Sequence, residues 1–254
     1  MALMTLSFYS HCLGRTVPMR ALVPIDASNI PMDAPVAPLP ALYLLHGLHG
    51  SENDWLTYTR VALWARQKGM AIFCPAGENS FYVDQAEQGL AYLCFLGEEL
   101  PTFTRRMFPL SHRREETFIA GLSMGGYGAL NAALSYPQTF GKAAALSAAL
   151  RPWGMMTEAS QDHSLQPGRA RALFGDDPAP WDTLKLAKCC CGPMPALWMA
   201  CGDEDPLLPE NSTFAQGMAE AGLPLHYEIT PGNHNWDFWD REICRVMDWL
   251  MEKK

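Results

Sequence analysis

The sequence predicts an α/β protein whose mostly parallel sheet is covered by helices on both faces. Short apolar or β-branched runs alternate with longer segments of helical periodicity along the 254 residues, without any internal repeat. Parallel strands need long crossover connections, which the intervening helices supply. A chain of this length can bury a core of its own, so we expect one domain over residues 1–254.

Eight strands are predicted, of which the first two form an antiparallel hairpin. Their expected bounds are Thr5–Tyr9, Arg15–Leu22, Ala41–His46, Ala71–Cys74, Thr117–Ala120, Lys142–Leu146, Ala196–Cys201 and Leu225–Ile229. Residues 30–40, between the second and third strands, contain four prolines. Proline lacks the N–H that a strand or a helix needs, so this stretch is predicted to be a surface loop rather than a domain boundary.

Predicted helices follow most of the later strands. They are expected at Asp54–Lys68, Phe95–Phe108, Gly125–Ser135, as a pair within Gly168–Lys188, at Asn211–Ala221 and at Asp237–Met251. In sheets built this way, active sites lie at the carboxyl ends of the strands. Residues 148–188 are predicted to form a small cap over that edge, in which Trp153 either walls a substrate pocket or packs under a loop.

Composition and charge exclude several classes of function. With 19 basic and 27 acidic residues the formal net charge is −8, which disfavours nucleic acid and anionic membranes as partners. No apolar run is long enough to cross a bilayer, and residues 1–20 lack the pattern of a secretory signal, so we expect a cytoplasmic protein. The eight cysteines are interpreted as reduced, buried small residues, and the run Cys189–Cys191 is not expected to bind a metal. No cofactor is expected.

A Gly-x-Ser-x-Gly motif spans residues 121–125, between the fifth predicted strand and the third predicted helix. A serine nucleophile must project from a tight turn, and glycine two positions away on each side lets the chain pass without a clash. The motif therefore indicates Ser123 as the nucleophile and the Met124 N–H, at the helix start, as a donor to a developing oxyanion. The alternative is a glycine-rich turn that Ser123 merely caps.

A base and an acid must accompany such a serine. His234 follows the last predicted strand, at the edge where the site is expected, although a solvated loop histidine would fit the same position. The acid is sought among Asp203, Glu204 and Asp205, which follow the seventh strand. The residues alone leave Asp203 and Asp205 as alternatives.

A second oxyanion donor is expected from the loop after the third strand. There Gly47 and Gly50 bracket Leu48 and His49, and a backbone N–H can be aimed at a substrate only where the loop bends tightly. We therefore predict that the Leu48 N–H is this donor, with His46 and His49 bracing the loop. An ordinary strand-to-helix turn would show the same residues.

Together these motifs resemble the α/β-hydrolase superfamily, and within it the esterase D group of S-formylglutathione hydrolases, tributyrin-type esterases and bacterial acetyl or feruloyl esterases. The resemblance covers nearly the whole chain. It rests on Leu44-Leu45-His46-Gly47-Leu48-His49-Gly50 with Asn53-Asp54-Trp55, on Glu98-Glu99-Leu100-Pro101, on Gly121-Leu122-Ser123-Met124-Gly125-Gly126 and on Gly232-Asn233-His234-Asn235-Trp236-Asp237-Phe238-Trp239. The chain order of serine, acid and histidine is also that of this superfamily.

The resemblance implies a triad of Ser123, His234 and Asp205, with Asp205 rather than Asp203 as the acid, and an oxyanion hole made by the Leu48 and Met124 amides. It also implies the α/β-hydrolase fold. Trp236 and Trp239 are expected to anchor the last helix in the core rather than to contact substrate.

The activity implied is that of a serine carboxylesterase, which hydrolyses small acyl esters through an acyl-enzyme. Acetyl or other short-chain groups are expected, on carbohydrate or hydroxycinnamoyl substrates among others. The alternatives are an S-formylglutathione hydrolase, an acyltransferase of the mycolyltransferase type, and a binding module without catalysis. S-formylglutathione hydrolases often carry a cysteine where this chain has Gly50-Ser51-Glu52, which favours the ester hypothesis. The expected partner is a small-molecule ester, and the resemblance also allows for a homo-oligomer.

Overall fold

A single eight-stranded sheet runs through the computed structural model, which describes residues 1–26, 37–156 and 165–252. The strands are β1 (Ala2–Ser10), β2 (Arg15–Val23), β3 (Ala41–Leu45), β4 (Ala71–Pro75), β5 (Thr117–Leu122), β6 (Lys142–Leu146), β7 (Ala196–Gly202) and β8 (His226–Thr230). They lie in the order β1-β2-β4-β3-β5-β6-β7-β8, with β2 antiparallel to both of its neighbours and every other pair parallel. The predicted fold class, with its antiparallel N-terminal hairpin, is confirmed.

Helices cover both faces of this sheet. They are α1 (Asp54–Tyr58), α2 (Val61–Lys68), α3 (Tyr92–Cys94), α4 (Leu100–Met107), α5 (Met124–Ser135), α6 (Pro152–Met155), α7 (Pro167–Phe174), α8 (Thr183–Lys188), α9 (Leu208–Glu220) and α10 (Trp236–Met251). Apolar residues of α1, α2 and α10 form one core with the sheet, and those of α3 to α5 and α7 to α9 form the other. No helix of the described ranges is both long and apolar enough to span a membrane.

The strand at the centre of the sheet shows why two cores form. All five residues of β3 are buried, as is typical of a parallel strand covered on both faces. Tyr43 and Leu45 belong to the core of α5, whereas Leu42 and Leu44 belong to the core of α2 and α10. Because side chains alternate along a strand, one apolar run supplies both layers.

The segment predicted as one helix over residues 54–68 is two helices. Thr59 is extended, with φ −134° and ψ 168°, and ends α1. Its hydroxyl donates to the Trp55 carbonyl and accepts the N–H of Val61 (3.2 Å), so that it closes one helix and starts the next. A threonine hydroxyl that competes with the backbone in this way breaks a helix that the apolar pattern alone would continue.

The helix predicted over residues 95–108 begins earlier, at Tyr92, and its first part is irregular. A π-helical turn, Phe95–Glu99, joins α3 to α4. Pro101 has no N–H to donate to the Gly97 carbonyl four residues earlier, and the hydroxyl of Thr139 donates to that carbonyl instead (2.9 Å). The missing donor therefore explains the irregular turn.

The cysteines are more exposed than predicted. All eight cysteines are free thiols, but only Cys74 and Cys201 are buried, so the prediction that the cysteines are buried is wrong for the other six. Four of these are partly exposed, and Cys189 and Cys191 are exposed because they lie in the turn after α8. The described residues hold no group of three histidine, cysteine or acidic side chains that could bind a metal ion.

Residues 30–36 of the predicted proline-rich loop and residues 157–164 of the predicted cap, with His163, lie outside the described residues.

Candidate active site

Ser123 lies at the sharp turn between β5 and α5. Its backbone has φ 51° and ψ −118°, a conformation that residues with a side chain rarely adopt. The Ser123 N–H donates to the Leu146 carbonyl (2.8 Å), and the Ser123 carbonyl accepts the N–H groups of Tyr127 and Ala149 (both 3.1 Å). These bonds hold a strained turn whose serine lies at the carboxyl edge of the sheet.

Both glycines of the motif are required by the space around that turn. A Cβ on Gly125 would lie 2.5 Å from the Leu45 carbonyl oxygen, and one on Gly121 would lie 2.4 Å from the backbone of Gly125. Backbone atoms of a packed strand and helix cannot move aside as a side chain can. The spacing of the motif is therefore a packing requirement of the elbow as well as a sequence signature.

His234 and Asp205 complete a chain of hydrogen bonds that starts at Ser123. The Ser123 hydroxyl lies 3.1 Å from Nε2 of His234, and Nδ1 of His234 lies 3.0 Å from Oδ2 and 3.2 Å from Oδ1 of Asp205. Because an ionised carboxylate can only accept, Nδ1 carries the proton and Nε2 accepts the serine hydroxyl. Asn235 caps α10 by accepting the N–H of Phe238 (3.1 Å), which fixes the loop next to His234.

The other two acids after β7 have different partners. Asp203 Oδ1 accepts the N–H of Gly232 (2.9 Å), and the N–H of Glu204 donates to the Gly232 carbonyl (3.0 Å) while its side chain is exposed. Both residues therefore hold the loop that carries His234 rather than the imidazole itself. Of the two alternatives that the sequence leaves open, the structure brings Asp205 against the histidine.

Asp205 is buried, with 4 % of its surface exposed, yet it remains a carboxylate. Burial alone would raise the pKa of the Asp205 carboxyl. Hydrogen bonds from His234, from the Ser147 hydroxyl and from the Leu207 N–H (2.8 Å) outweigh burial and hold this pKa below its ordinary value. The Asp205 carboxylate is therefore ionised and can stabilise a positive charge on the His234 ring.

Ser147 and Trp239 also belong to this network, although neither is predicted from the sequence to do so. Ser147 follows β6, is fully buried and has φ 48°. The indole Nε1–H of Trp239 donates to the Ser147 hydroxyl (3.2 Å), and the Trp239 ring meets the His234 ring edge-on, with centroids 4.9 Å apart. Trp239 packs in the core as expected, and it also orients the acid through Ser147. The position of Ser147 at the end of a central strand was the available signal.

We expect Ser147→Ala and Trp239→Phe each to lower kcat roughly 10-fold. Each removes a hydrogen bond that helps to orient the Asp205 carboxylate. Because this hydrogen bond does not contact the substrate, KM should change little. Hydrolysis of p-nitrophenyl acetate measures the effect. Trp236→Phe is the matched control, since Trp236 packs edge-on against Trp239 (5.1 Å) without a hydrogen bond to Ser147. A loss in Trp236→Phe equal to that in Trp239→Phe would show that packing, and not the indole N–H, is what matters.

The loop after β3 lies beside the serine. A Cβ built on Gly47 would lie 3.6 Å from the Cβ of Ser123, and the loop closes on itself through the Gly50 N–H and the Gly47 carbonyl (3.1 Å). Within the described ranges, neither the Leu48 N–H nor the Met124 N–H donates to a protein acceptor. Both predicted donors therefore keep a backbone N–H without a protein acceptor in the described residues.

The His46 side chain fixes this loop by hydrogen bonds. Its Nε2 accepts the N–H of Gly77 (2.9 Å), and its Nδ1–H donates to the Gly47 carbonyl (2.7 Å). Burial lowers the pKa of His46, so the ring is neutral and can make both bonds. The predicted bracing role of His46 agrees with these contacts.

The described part of the predicted cap contacts the loop after β4, which in turn contacts the loop after β3. The Arg169 guanidinium of α7 donates to the Asn79 carbonyl (3.0 Å), and the Asn79 side chain accepts the His49 N–H (2.8 Å). Trp153 of α6 packs edge-on against Phe174 (5.9 Å). It also lines a cavity of about 410 Å³, whose other walls include Leu150, Arg151, Thr183, Glu210 and Phe214.

The sheet topology, the strained serine elbow and the buried acid with its histidine define this protein as a serine hydrolase with the α/β-hydrolase fold. The chain belongs to the Esterase family, because the model of that family, described as "Putative esterase", matches residues 15–250. It is therefore a serine carboxylesterase, as predicted from the sequence.

The proteins to which this chain is similar include esterases and other serine hydrolases. The acetyl esterase of Caldicellulosiruptor saccharolyticus is 37% identical over 264 residues, which cover 98% of each chain. Among solved structures, the substrate-bound fluorophosphonate-binding serine hydrolase FphF of Staphylococcus aureus superposes with a TM-score of 0.88 at 29% identity over 99% of both chains. The S-formylglutathione hydrolase FrmB of the same organism gives a TM-score of 0.87, also at 29% identity over 99% of both chains.

Proposed function

We propose that Ser123 is the nucleophile, His234 the general base and acid, and Asp205 the residue that orients the imidazole. The observation that carries this assignment is the unbroken row of hydrogen bonds from the Ser123 hydroxyl to the Asp205 carboxylate. Asp205 receives three donors and is held as an anion, so it stabilises the imidazolium that forms when His234 takes a proton.

Each half of the proposed reaction moves one proton through His234. Nε2 takes the proton of Ser123 as the oxygen attacks the acyl carbon, and the carbonyl oxygen becomes an oxyanion beside the Leu48 and Met124 N–H groups. The C–O bond to the alcohol then breaks, and the alcohol leaves with the proton from Nε2. In the second half, His234 takes a proton from water as the water oxygen attacks the acyl-serine. The bond from the acyl carbon to the Ser123 oxygen then breaks, the carboxylic acid leaves, and Nε2 returns its proton to Ser123.

The proposed substrates are esters of small acyl groups, with acetyl preferred. The acetyl esterase at 37% identity over nearly the full length supports this proposal. Trp153 is proposed to wall the pocket, because it lines a cavity together with Leu150, which directly follows Ala149, whose N–H donates to the Ser123 carbonyl. S-formylglutathione is the second candidate, which the similarity to the FrmB structure favours, since a thioester would use the same residues.

A substrate panel tests this assignment. We expect acetyl esters to give the highest kcat/KM in a series of acetyl, butyryl and feruloyl esters, acetylated oligosaccharides and S-formylglutathione. A kcat/KM for S-formylglutathione above that of every ester would overturn the preference. Analysis of products in the presence of sugar or lipid acceptors would reveal acyl transfer as products other than the free acid.

We also propose that the enzyme works in the cytoplasm, without nucleic acid or membrane partners. Eight free thiols suit a reducing compartment, and a net charge of −8 repels polyanions. Self-association stays a prediction, and light scattering on the purified protein measures it.

A further inference from the structure

Two thiols from distant parts of the chain face one another away from the proposed active site. Cys12 lies in the turn between β1 and β2, and Cys94 is the last residue of α3. Their Sγ atoms are 3.1 Å apart although 82 positions separate the residues in sequence. A disulfide bond is ~2.05 Å long, so an approach of about 1 Å would bring these sulfurs to bonding distance.

The backbone on both sides of this pair is tied together. The Cys12 carbonyl accepts the N–H of Ala91 (2.9 Å), which directly precedes α3. The Glu99 carboxylate, in the π-helical turn after Cys94, accepts the N–H groups of His11 (2.6 Å) and Cys12 (3.4 Å) and the Ser10 hydroxyl. The hairpin turn therefore binds segments before and after Cys94, and this fixed geometry raises the effective concentration of one thiol at the other.

The surroundings favour a disulfide over the other uses of a thiol pair. Both cysteines are partly exposed, so a small reagent can reach them, whereas Cys74 and Cys201 are buried. Within the described ranges no third ligand joins the pair to form a metal site.

We propose that Cys12 and Cys94 form a redox modification site, at which a small disulfide such as glutathione disulfide converts the two thiols into an intramolecular disulfide. The thiolate of one cysteine attacks the reagent, releases one reduced glutathione and leaves a mixed disulfide. The second thiolate attacks the protein sulfur of that mixed disulfide and releases the second glutathione, so that the reagent is reduced and carries both protons. Burial, the neighbouring Cys94 thiol and Glu99 raise the pKa of the Cys12 thiol, which slows attack by Cys12 at neutral pH.

Thiol mapping after equilibration tests the proposal. The full-length protein is incubated in glutathione buffers of increasing oxidised fraction, the remaining thiols are blocked with iodoacetamide, and unreduced peptides are analysed by mass spectrometry. We expect a cross-linked peptide pair containing Cys12 and Cys94, lighter by two hydrogens than the separate peptides. Complete alkylation of both residues in the most oxidising buffer, or glutathione adducts on them without a cross-link, would overturn the proposal.

Thermal unfolding supplies a second measurement. The oxidised wild type should melt roughly 5 °C or more above the reduced protein, because the bond closes a long loop in the unfolded chain. Cys12→Ser and Cys94→Ser should lose both the cross-link and this shift, whereas Cys189→Ser, at an exposed thiol, should keep both. If one of the first two variants fails to fold, the peptide map of the wild type still decides.

Discussion

Alanine at position 123 is expected to lower kcat for p-nitrophenyl acetate roughly 10⁴–10⁶-fold, because without the hydroxyl no acyl-enzyme forms and His234 has no serine proton to move. Labelling by a fluorophosphonate probe should disappear in the same variant, since the probe reacts with an activated serine. Hydrolysis rates and labelling of the purified protein measure both effects.

The fold should survive this substitution. Alanine lacks only an oxygen, and the hydrogen bonds that hold the elbow come from the backbone of residue 123. The circular-dichroism spectrum should therefore match that of the wild type. Ser135→Ala, at the exposed far end of α5, is the matched control and should keep full activity. Activity retained by the Ser123 variant would mean that another residue is the nucleophile.

The sequence predicts the sheet well because its strands are short apolar runs with few alternatives. β6 has the predicted bounds, and the other strands differ only at their ends, where hydrogen bonding rather than composition decides. The serine elbow is predictable for a related reason. Gly121 and Gly125 are required by close contacts with neighbouring backbone, so the two glycines make the turn visible in the sequence.

What the sequence does not predict depends on contacts between distant segments. Asp203 and Asp205 stand two positions apart after the same strand, and only the position of the loop carrying His234 decides which one meets the imidazole. The hydrogen bond from Trp239 to Ser147 joins residues 92 positions apart. The helix break at Thr59 and the π-helical turn before Pro101 likewise depend on single hydrogen bonds, one made by Thr59 and one that Pro101 cannot donate, and an apolar periodicity does not encode these.

Replacement of Asp205 by asparagine should lower kcat roughly 10³–10⁴-fold, although the side chain keeps its size. An amide has no negative charge to stabilise the imidazolium. Its NH₂ group can also donate to Nδ1, which would leave the proton on Nε2 and prevent that atom from accepting the serine hydroxyl. Single-turnover hydrolysis of p-nitrophenyl acetate separates this loss in acylation from any change in product release.

Asp203→Asn is the matched control for this variant. The Asp203 carboxylate accepts a backbone N–H from Gly232, a bond that an amide oxygen can also accept, so only a few-fold loss is expected. If Asp203→Asn lost activity by several orders of magnitude while Asp205→Asn stayed active, the orienting acid would be Asp203.

The difference in stability between the wild type and Asp205→Asn should depend on pH. The pKa of Asp205 is lower in the folded protein than its ordinary value, so the folded state binds fewer protons at this site than the unfolded state does. The stability that its ionisation contributes is therefore fully present above the unfolded pKa of about 4 and is lost as the pH falls through the lower folded value. Urea unfolding should show the wild type losing its advantage over Asp205→Asn as the pH falls through this window. An advantage that stayed constant across the window would mean that the buried carboxylate is not stabilised by its three donors.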